Sequence, residues 1–390
     1  MLPDPERAEP AAPVPPAATA PAERWPLPDL LRGLAILGIL CVNMQDFAGY
    51  DEWLQRGPDH AAQVFIDTFL NGKFISLFAM LFGAGMLIIL QRAGGWRLLR
   101  RLLLLLALGS LHFVLVWHGD IISLYACLGL LLWLPLLTRP PAWVLALSGT
   151  GLCLWWLALR VSDALAAGAG ERYSFVQPLP PDTAWSDLFR LRLGDFRGDL
   201  QGGIDYNFQW LLGLLLLGMA AQAAGVLARP ERFRTLLRGL LATGLLLGLP
   251  LSLTLAWINT QATESARLWE VPVRLSSGLL LGLGYAGAVG LLVASGRVGG
   301  LRAFAAPGRL ALSNYLAQSL VMTTLFYPYG LGLYGHLGAL PCLLLALALG
   351  GLQLWLSARW LRRFPQGPAE ALLRRLVYGR AGPGHRHREG

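Results

Sequence analysis

The sequence predicts an all-α membrane protein, a helix bundle with about ten transmembrane helices. Of its 390 residues, 55% are hydrophobic and 14% are charged, and the mean hydropathy is +0.51. These values exclude an ordinary soluble domain. The apolar residues fall in ten separate stretches, each about 20 residues long, which is the length a helix needs to cross a bilayer.

Loop charges fix the expected orientation of these stretches. The stretches lie near residues 30–49, 72–91, 99–117, 119–137, 142–161, 207–227, 236–257, 273–295, 309–328 and 338–360. Arginines gather in every second connection and acidic residues in the others, so both termini are expected in the cytoplasm. The chain then divides into a disordered cytoplasmic tail at 1–28, a transmembrane bundle at 29–363 with an external segment at 162–206, and an amphipathic and disordered cytoplasmic tail at 364–390.

The net charge of +9 does not indicate a nucleic-acid partner. The cations are almost all arginines between apolar stretches, where they orient membrane helices. A nucleic-acid surface needs clustered, solvent-facing Lys and Arg instead. The cysteines lie inside apolar stretches, so neither a disulfide framework nor a metal site is expected. They are Cys41, Cys127, Cys153 and Cys342.

The strongest functional signal is the predicted hairpin from Arg100 to Leu134. His112 stands alone in a run of leucines, and an ionisable group at bilayer depth indicates a functional site. Arg101 precedes it by eleven positions, about three helical turns, so the two share a helix face roughly 16 Å apart. His118 and Asp120 lie in the turn, where an aspartate within reach of an imidazole fixes its tautomer and raises its basicity.

Other polar residues inside the apolar stretches have two interpretations each. Asn43 either faces the same cavity as His112 or forms an interhelical hydrogen bond. Lys73 either extends to the headgroups or provides a cation at the outer mouth. Asn314 and Gln318 are four residues apart and share a face, which either lines a substrate path or joins helices. Cytoplasmic arginines are candidates to bind phosphate: Arg97, Arg100, Arg101 and Arg309.

Several motifs resemble the YeiB family of bacterial inner-membrane proteins, whose C-terminal domain has no known function. They are DLLRGLAILGILCVNM, GKFISLFAMLFGAGM, HFVLVWHGDIISLYACLGLLL, GRLALSNYLAQS, FYPYGLGLYG and GPAEALLRRLVYGR. The resemblance implies a multi-pass protein of the inner membrane. A more distant resemblance is to the transmembrane acyltransferases, heparan-glucosaminide N-acetyltransferases and polysaccharide O-acyltransferases. In the latter, a basic residue, ten intervening residues and a histidine mark the active helix, as Arg101 and His112 do here.

These observations lead to one favoured hypothesis and two alternatives. In the favoured one, an acyl-CoA co-substrate binds the cytoplasmic arginines, and His112 deprotonates a glycan or small-molecule acceptor that enters from outside. Asn43 or Asn314 then donates to the developing oxyanion. No tightly bound cofactor is expected. The alternatives are a proton-coupled transporter and a structural or regulatory membrane protein. The sequence carries no signal for an oligomeric state.

Overall fold

The computed structural model describes residues 26–166, 179–180, 182–202, 207–261 and 264–379. Among these residues the regular structure is helical throughout. Most of the predicted N-terminal tail lies outside the described residues, as do positions 167–178 of the external segment and 380–390 of the C-terminal tail.

The described residues form fifteen α-helices. They are α1 Pro26–Ala48, α2 Gly57–Phe69, α3 Lys73–Ala93, α4 Gly95–Leu115, α5 Ile122–Leu136, α6 Ala142–Ala166, α7 Trp185–Gly202, α8 Phe208–Ala223, α9 Arg234–Thr243, α10 Leu249–Ile258, α11 Glu264–Ala294, α12 Ala305–Arg309, α13 Ala311–Phe326, α14 Ala339–Trp360 and α15 Pro368–Tyr378. A π-helical segment at Gly244–Gly248 makes α9 and α10 one continuous rod.

The helices confirm an all-α membrane bundle. Seven described segments are long and apolar enough to cross a membrane: Pro26–Ala48, Gly57–Ala93, Gly95–Leu115, Ala142–Ala166, Pro230–Ile258, Leu268–Ala294 and Ala339–Trp360. The other three predicted stretches also form helices, but α5, α8 and α13 have only 15 or 16 residues. Helices this short fall below the usual spanning length of about 20 residues.

The connection between the first two predicted stretches contains a helix that was not predicted from the sequence, α2. Pro58 suits the first turn of a helix, where its missing N–H is not needed. One face of α2 then buries Ala62 and Ile66 together with the polar Gln63 and Asp67. The charged residues that made this segment resemble an exposed loop are thus partly internal.

Close contact between α1 and α12 shapes one end of the bundle. A Cβ on Gly33 would collide with the carbonyl oxygen of Phe304, and one on Gly308 would collide with the carbonyl oxygen of Asp29. Glycine at both positions lets the two backbones touch. This contact places Arg309, at the end of α12, beside the first turns of α1.

Candidate functional site

A cavity of about 440 Å³ lies between α1, α3, α4, α5, α13 and α15. Its wall is apolar over most of its depth, with side chains such as Ile36, Phe82 and Leu105. At one end the wall carries four guanidinium groups, and we call this the basic end of the bundle: Arg32, Arg101, Arg309 and Arg374. At its other end the cavity reaches Ile121, the residue after Asp120, together with Tyr315. The shape and polarity suit an amphiphile with an anionic head.

The arginines at the basic end differ in whether their guanidinium groups already have hydrogen-bond or ion-pair partners in the protein. Arg32 lies 3.4 Å from the carboxylate of Asp29, and Arg309 donates to the carbonyl of Pro365 at 3.2 Å. Arg101 has no hydrogen bond or ion pair within the described part of the chain. A half-buried guanidinium in that state is prepared to bind a phosphate or carboxylate of a ligand.

The C-terminal helix α15 forms the floor of this cavity. Its Glu370 carboxylate accepts the N–H groups of Leu312 (2.8 Å) and Ser313 (3.2 Å), the first residues of α13. These are the unpaired donors of a helix N-terminus, where a carboxylate is favourable. The contact holds Arg374 and Tyr378 against the cavity. The predicted amphipathic tail is therefore part of the site.

The turn between α4 and α5 brings His112 and Asp120 together. Nδ1 of His112 lies 3.0 Å from Oδ1 of Asp120, and both side chains are buried. The other carboxylate oxygen accepts the backbone N–H and the hydroxyl of Ser123, each at 2.8 Å. Gly109 permits this geometry, because a Cβ there would lie 2.3 Å from the Ser123 nitrogen and is excluded.

This arrangement determines what His112 can do. A carboxylate accepts only, so Nδ1 carries the proton and Nε2 keeps a free lone pair. Nε2 is buried and has no hydrogen-bond partner among the described residues. The pair therefore has the geometry of a general base whose imidazolium form a carboxylate would stabilise.

Tyr315 separates His112 from the cavity. Its ring centroid lies 5.4 Å from that of His112, and its hydroxyl lies 3.4 Å from both the carbonyl of Gly119 and the amide of Ile121. Tyr315 lines the cavity, whereas His112 does not. We expected His112 itself to face the cavity. Instead, the ring of Tyr315 lies between the cavity and the His112 ring. Sequence reasoning missed Tyr315, since nothing in α13 alone marks it.

Other predicted residues near the hairpin and the basic end have separate positions. His118 is exposed in the turn, with its ring at the edge of the Trp117 ring. Asn43 is half-buried on α1. Arg97 packs over the ring of Tyr378 at 5.6 Å, and Arg100 is exposed. None of these four lines the described cavity.

Asn314 and Gln318 lie in an interhelical hydrogen-bond network. Gln318 donates to the side chain of Gln353 at 2.7 Å, and Gln353 donates back to the carbonyl of Asn314 at 3.1 Å. The Asn314 amide donates to Ser357 at 3.0 Å. Both residues are buried and join α13 to α14, away from the cavity wall.

Lys73 belongs to a second buried cluster at the opposite end of the bundle. Its Nζ donates to the backbone carbonyl of Asp67 at 2.6 Å. The Asp67 carboxylate accepts from the amides of Asn71 (2.9 Å), Asn259 (2.9 Å) and Gln63 (3.2 Å). The spacing of Gln63, Asp67 and Asn71 by four residues was a usable signal, because it places them on one helix face. Sequence reasoning did not use it. No described group of three His, Cys, Asp or Glu side chains is arranged to hold a metal ion.

Comparisons with known proteins agree with this architecture. Residues 221–380 match the family model described as a protein of unknown function, DUF418. The chain is 34% identical to the uncharacterized protein YeiB of Escherichia coli strain K12, over 91% of this chain and 96% of YeiB. It is 32% identical to the uncharacterized protein YxaH of Bacillus subtilis strain 168, over 91% of this chain and 94% of YxaH. Similarity of this extent along almost the whole length establishes that the chain belongs to the YeiB family.

Proposed function

We propose that this protein is a multi-pass acyltransferase of the bacterial inner membrane. It moves an acyl group from a cytoplasmic acyl-CoA to a glycan or small-molecule acceptor on the other side. The observation that carries the proposal is the cavity, which joins four arginines at the basic end to Tyr315, the neighbour of the His112–Asp120 pair. By the positive-inside rule, the basic end faces the cytoplasm.

The donor fits the cavity in charge and in length. The phosphates of CoA bind at Arg101 and Arg374, and the thioester arm runs along the apolar wall. Arg101 and His112 are eleven positions apart on α4, about 16 Å along the axis. That distance suits a ligand whose charged group and reactive carbonyl lie at opposite ends of a long chain.

The chemistry follows from the tautomer that Asp120 enforces. Nε2 of His112 removes the proton from the acceptor hydroxyl or amine, whose heteroatom forms a bond to the thioester carbonyl carbon. The tetrahedral adduct collapses with cleavage of the carbon–sulfur bond, and the imidazolium returns its proton to the departing thiolate. General base catalysis of this kind contributes about 10²–10⁴-fold.

Tyr315 is the proposed hydrogen-bond donor to the oxyanion. Its hydroxyl lies in the turn region beside Asp120, 3.4 Å from the carbonyl of Gly119 and 3.4 Å from the amide of Ile121. The Asn314 amide proposed from the sequence already donates to Ser357. Asn43 remains the second candidate donor.

The test is thiol release from acetyl-CoA by purified protein in nonionic detergent, with a mixture of neutral sugars, amino sugars, acidic sugars and sugar phosphates as acceptors. The wild type should release CoA, and His112→Ala should be at least about 10²-fold slower. His336→Ala is the matched control, since His336 is exposed and outside the cavity. An unchanged rate in a folded His112→Ala protein would refute the mechanism.

One observation favours proton-coupled transport as a second candidate. Asp67 and Lys73 are fully buried at the opposite end, and ionisable groups at such positions are typical of proton relays. Proton uptake into proteoliposomes that is coupled to a solute and abolished by Asp67→Asn would select this function over acyl transfer.

A further inference from the structure

Helix α7 covers the end of α4 that carries His112. Trp185 donates from Nε1 to the carbonyl of Leu115 at 3.2 Å, and Arg192 donates from Nη1 to the same oxygen at 3.3 Å. The rings of Phe196 and Phe113 pack with centroids 5.5 Å apart. This helix therefore lies over the α4–α5 turn, on the side of His112 that faces away from the basic end.

Arg192 is buried and forms no ion pair with a described residue. Its exposed fraction is 3%. Its guanidinium lies 5.3 Å from the ring centroid of Tyr327, and a phenol is neutral at ordinary pH. Its Nη2 is buried with no hydrogen-bond partner in the described part of the chain. Buried charges in proteins are normally paired.

Capping of α4 does not account for this residue. Arginine often binds the last carbonyls of a helix, and Nη1 does so here. The Leu115 carbonyl, however, already accepts a hydrogen bond from Trp185, so it does not require a cation. Capping also leaves Nη2 unsatisfied, and an unsatisfied buried donor is costly.

A second unpaired donor lies two residues from Leu115. Trp117 is 1% exposed, and its Nε1 has no partner among the described residues. Its ring stacks on Phe47 with centroids 4.1 Å apart. Near His112 the protein thus places two N–H donors that lack acceptors among the described residues, one of them cationic, beside aromatic surface.

We propose that Arg192 binds a carboxylate or phosphate group of the acceptor, so that the acceptor is an acidic sugar or a phosphorylated small molecule. The identification of the anion as the acceptor rests on the proposed function. The planar guanidinium fork suits both groups, and its position holds the acceptor on the face of His112 opposite the acyl donor.

Anion binding is measurable without any acyl donor. Each variant is made in an Arg101→Gln background, which weakens anion binding at the basic end. The probes are inorganic phosphate and glucuronate, with glucose as the neutral control, and the readout is the ligand-dependent rise in unfolding temperature in nonionic detergent. Arg197→Gln is the matched control, because Arg197 is exposed on the same helix.

Phosphate and glucuronate should stabilise the Arg101→Gln protein and its Arg197→Gln derivative, whereas glucose should not. Arg192→Gln should weaken the apparent affinity at least about tenfold. Arg192→Lys keeps the charge and should give an intermediate apparent affinity. This variant tests the inference if Arg192→Gln folds poorly. The rise in unfolding temperature is measured for each variant against the same variant without ligand. If Arg192 had a purely structural role, its substitution would therefore not change the rise that phosphate or glucuronate causes.

Equal stabilisation of the Arg192→Gln and Arg197→Gln proteins would overturn the inference. So would an effect seen only in nanodiscs that contain phosphatidylglycerol, since the anion would then be a lipid headgroup. Neither result bears on thiol release. Conversely, Arg192-dependent phosphate binding by a protein that never releases CoA would refute the acyltransferase and leave the anion site standing.

Discussion

Two sets of buried polar groups, on α13–α14 and on α4–α5, differ in how completely they are satisfied. The Gln318–Gln353–Asn314 network uses its donors and acceptors between the two helices. In the hairpin, both oxygens of Asp120 accept hydrogen bonds, whereas Nε2 of His112 has no partner among the described residues. Satisfied buried groups specify packing, whereas an unpaired one next to a cavity is available for chemistry. Under the proposed function, the contrast separates a structural network from the catalytic pair.

The largest expected effect is on Asp120. Asp120→Asn should reduce thiol release by about 10²-fold or more, since the amide no longer enforces the reactive tautomer of His112. Ser123→Ala removes a hydrogen bond to Asp120 but keeps the carboxylate, so its rate should fall by less than about tenfold. Equal rates for both variants would mean that the pair is structural.

Substitutions in the buried cluster at the opposite end, which contains Asp67 and Lys73, should change the stability of the protein rather than its activity. Asp67→Ala removes the carboxylate that accepts from the amides of Gln63, Asn71 and Asn259. The loss of these buried hydrogen bonds should lower the free energy of unfolding by roughly 3 kcal/mol. Denaturation in detergent measures this loss. A fully stable Asp67→Ala protein would show that the cluster contributes little to folding.

The basic end is tested by two arginines with the same charge and different positions. Arg101→Gln should weaken CoA binding about tenfold, because Arg101 lines the cavity without a hydrogen bond or ion pair to any described residue. Arg100→Gln should change the affinity less than about twofold, because Arg100 is exposed outside the cavity. Titration of each variant with CoA measures the two affinities. Equal losses would indicate nonspecific attraction at the basic end.

The smallest effect is expected in the amide network. Gln318→Leu strands the Gln353 acceptor and should destabilise the protein by about 1 kcal/mol, without loss of thiol release. The double variant with Gln353→Leu should be nearly neutral, since both partners become apolar. Loss of thiol release in a folded Gln318→Leu protein would favour the alternative that Gln318 lines a substrate path.

The sequence predicted the helices, and it identified His112 and Asp120, because long apolar runs and a short turn are local properties. It could not predict Tyr315 or Gln353, since their partners are distant in sequence and the contacts exist only after folding. It missed α2, because Asp59 and Asp67 made a partly buried helix resemble a loop. The burial of Arg192 could not be predicted for a related reason. The external segment contains several charged residues, and no local feature of the sequence indicates which of them becomes buried.

The most direct test of the account is a structure of the protein with a non-hydrolysable acyl-CoA, in which the thioester sulfur is replaced. We expect the phosphates at Arg101 and Arg374, the arm along the apolar wall, and Tyr315 beside the acyl carbonyl. The carbonyl carbon should lie roughly 5 Å from Nε2 of His112, which leaves room for one acceptor atom between them. An analogue bound elsewhere, or one whose carbonyl is still sealed from His112 by Tyr315, would contradict the proposed reaction.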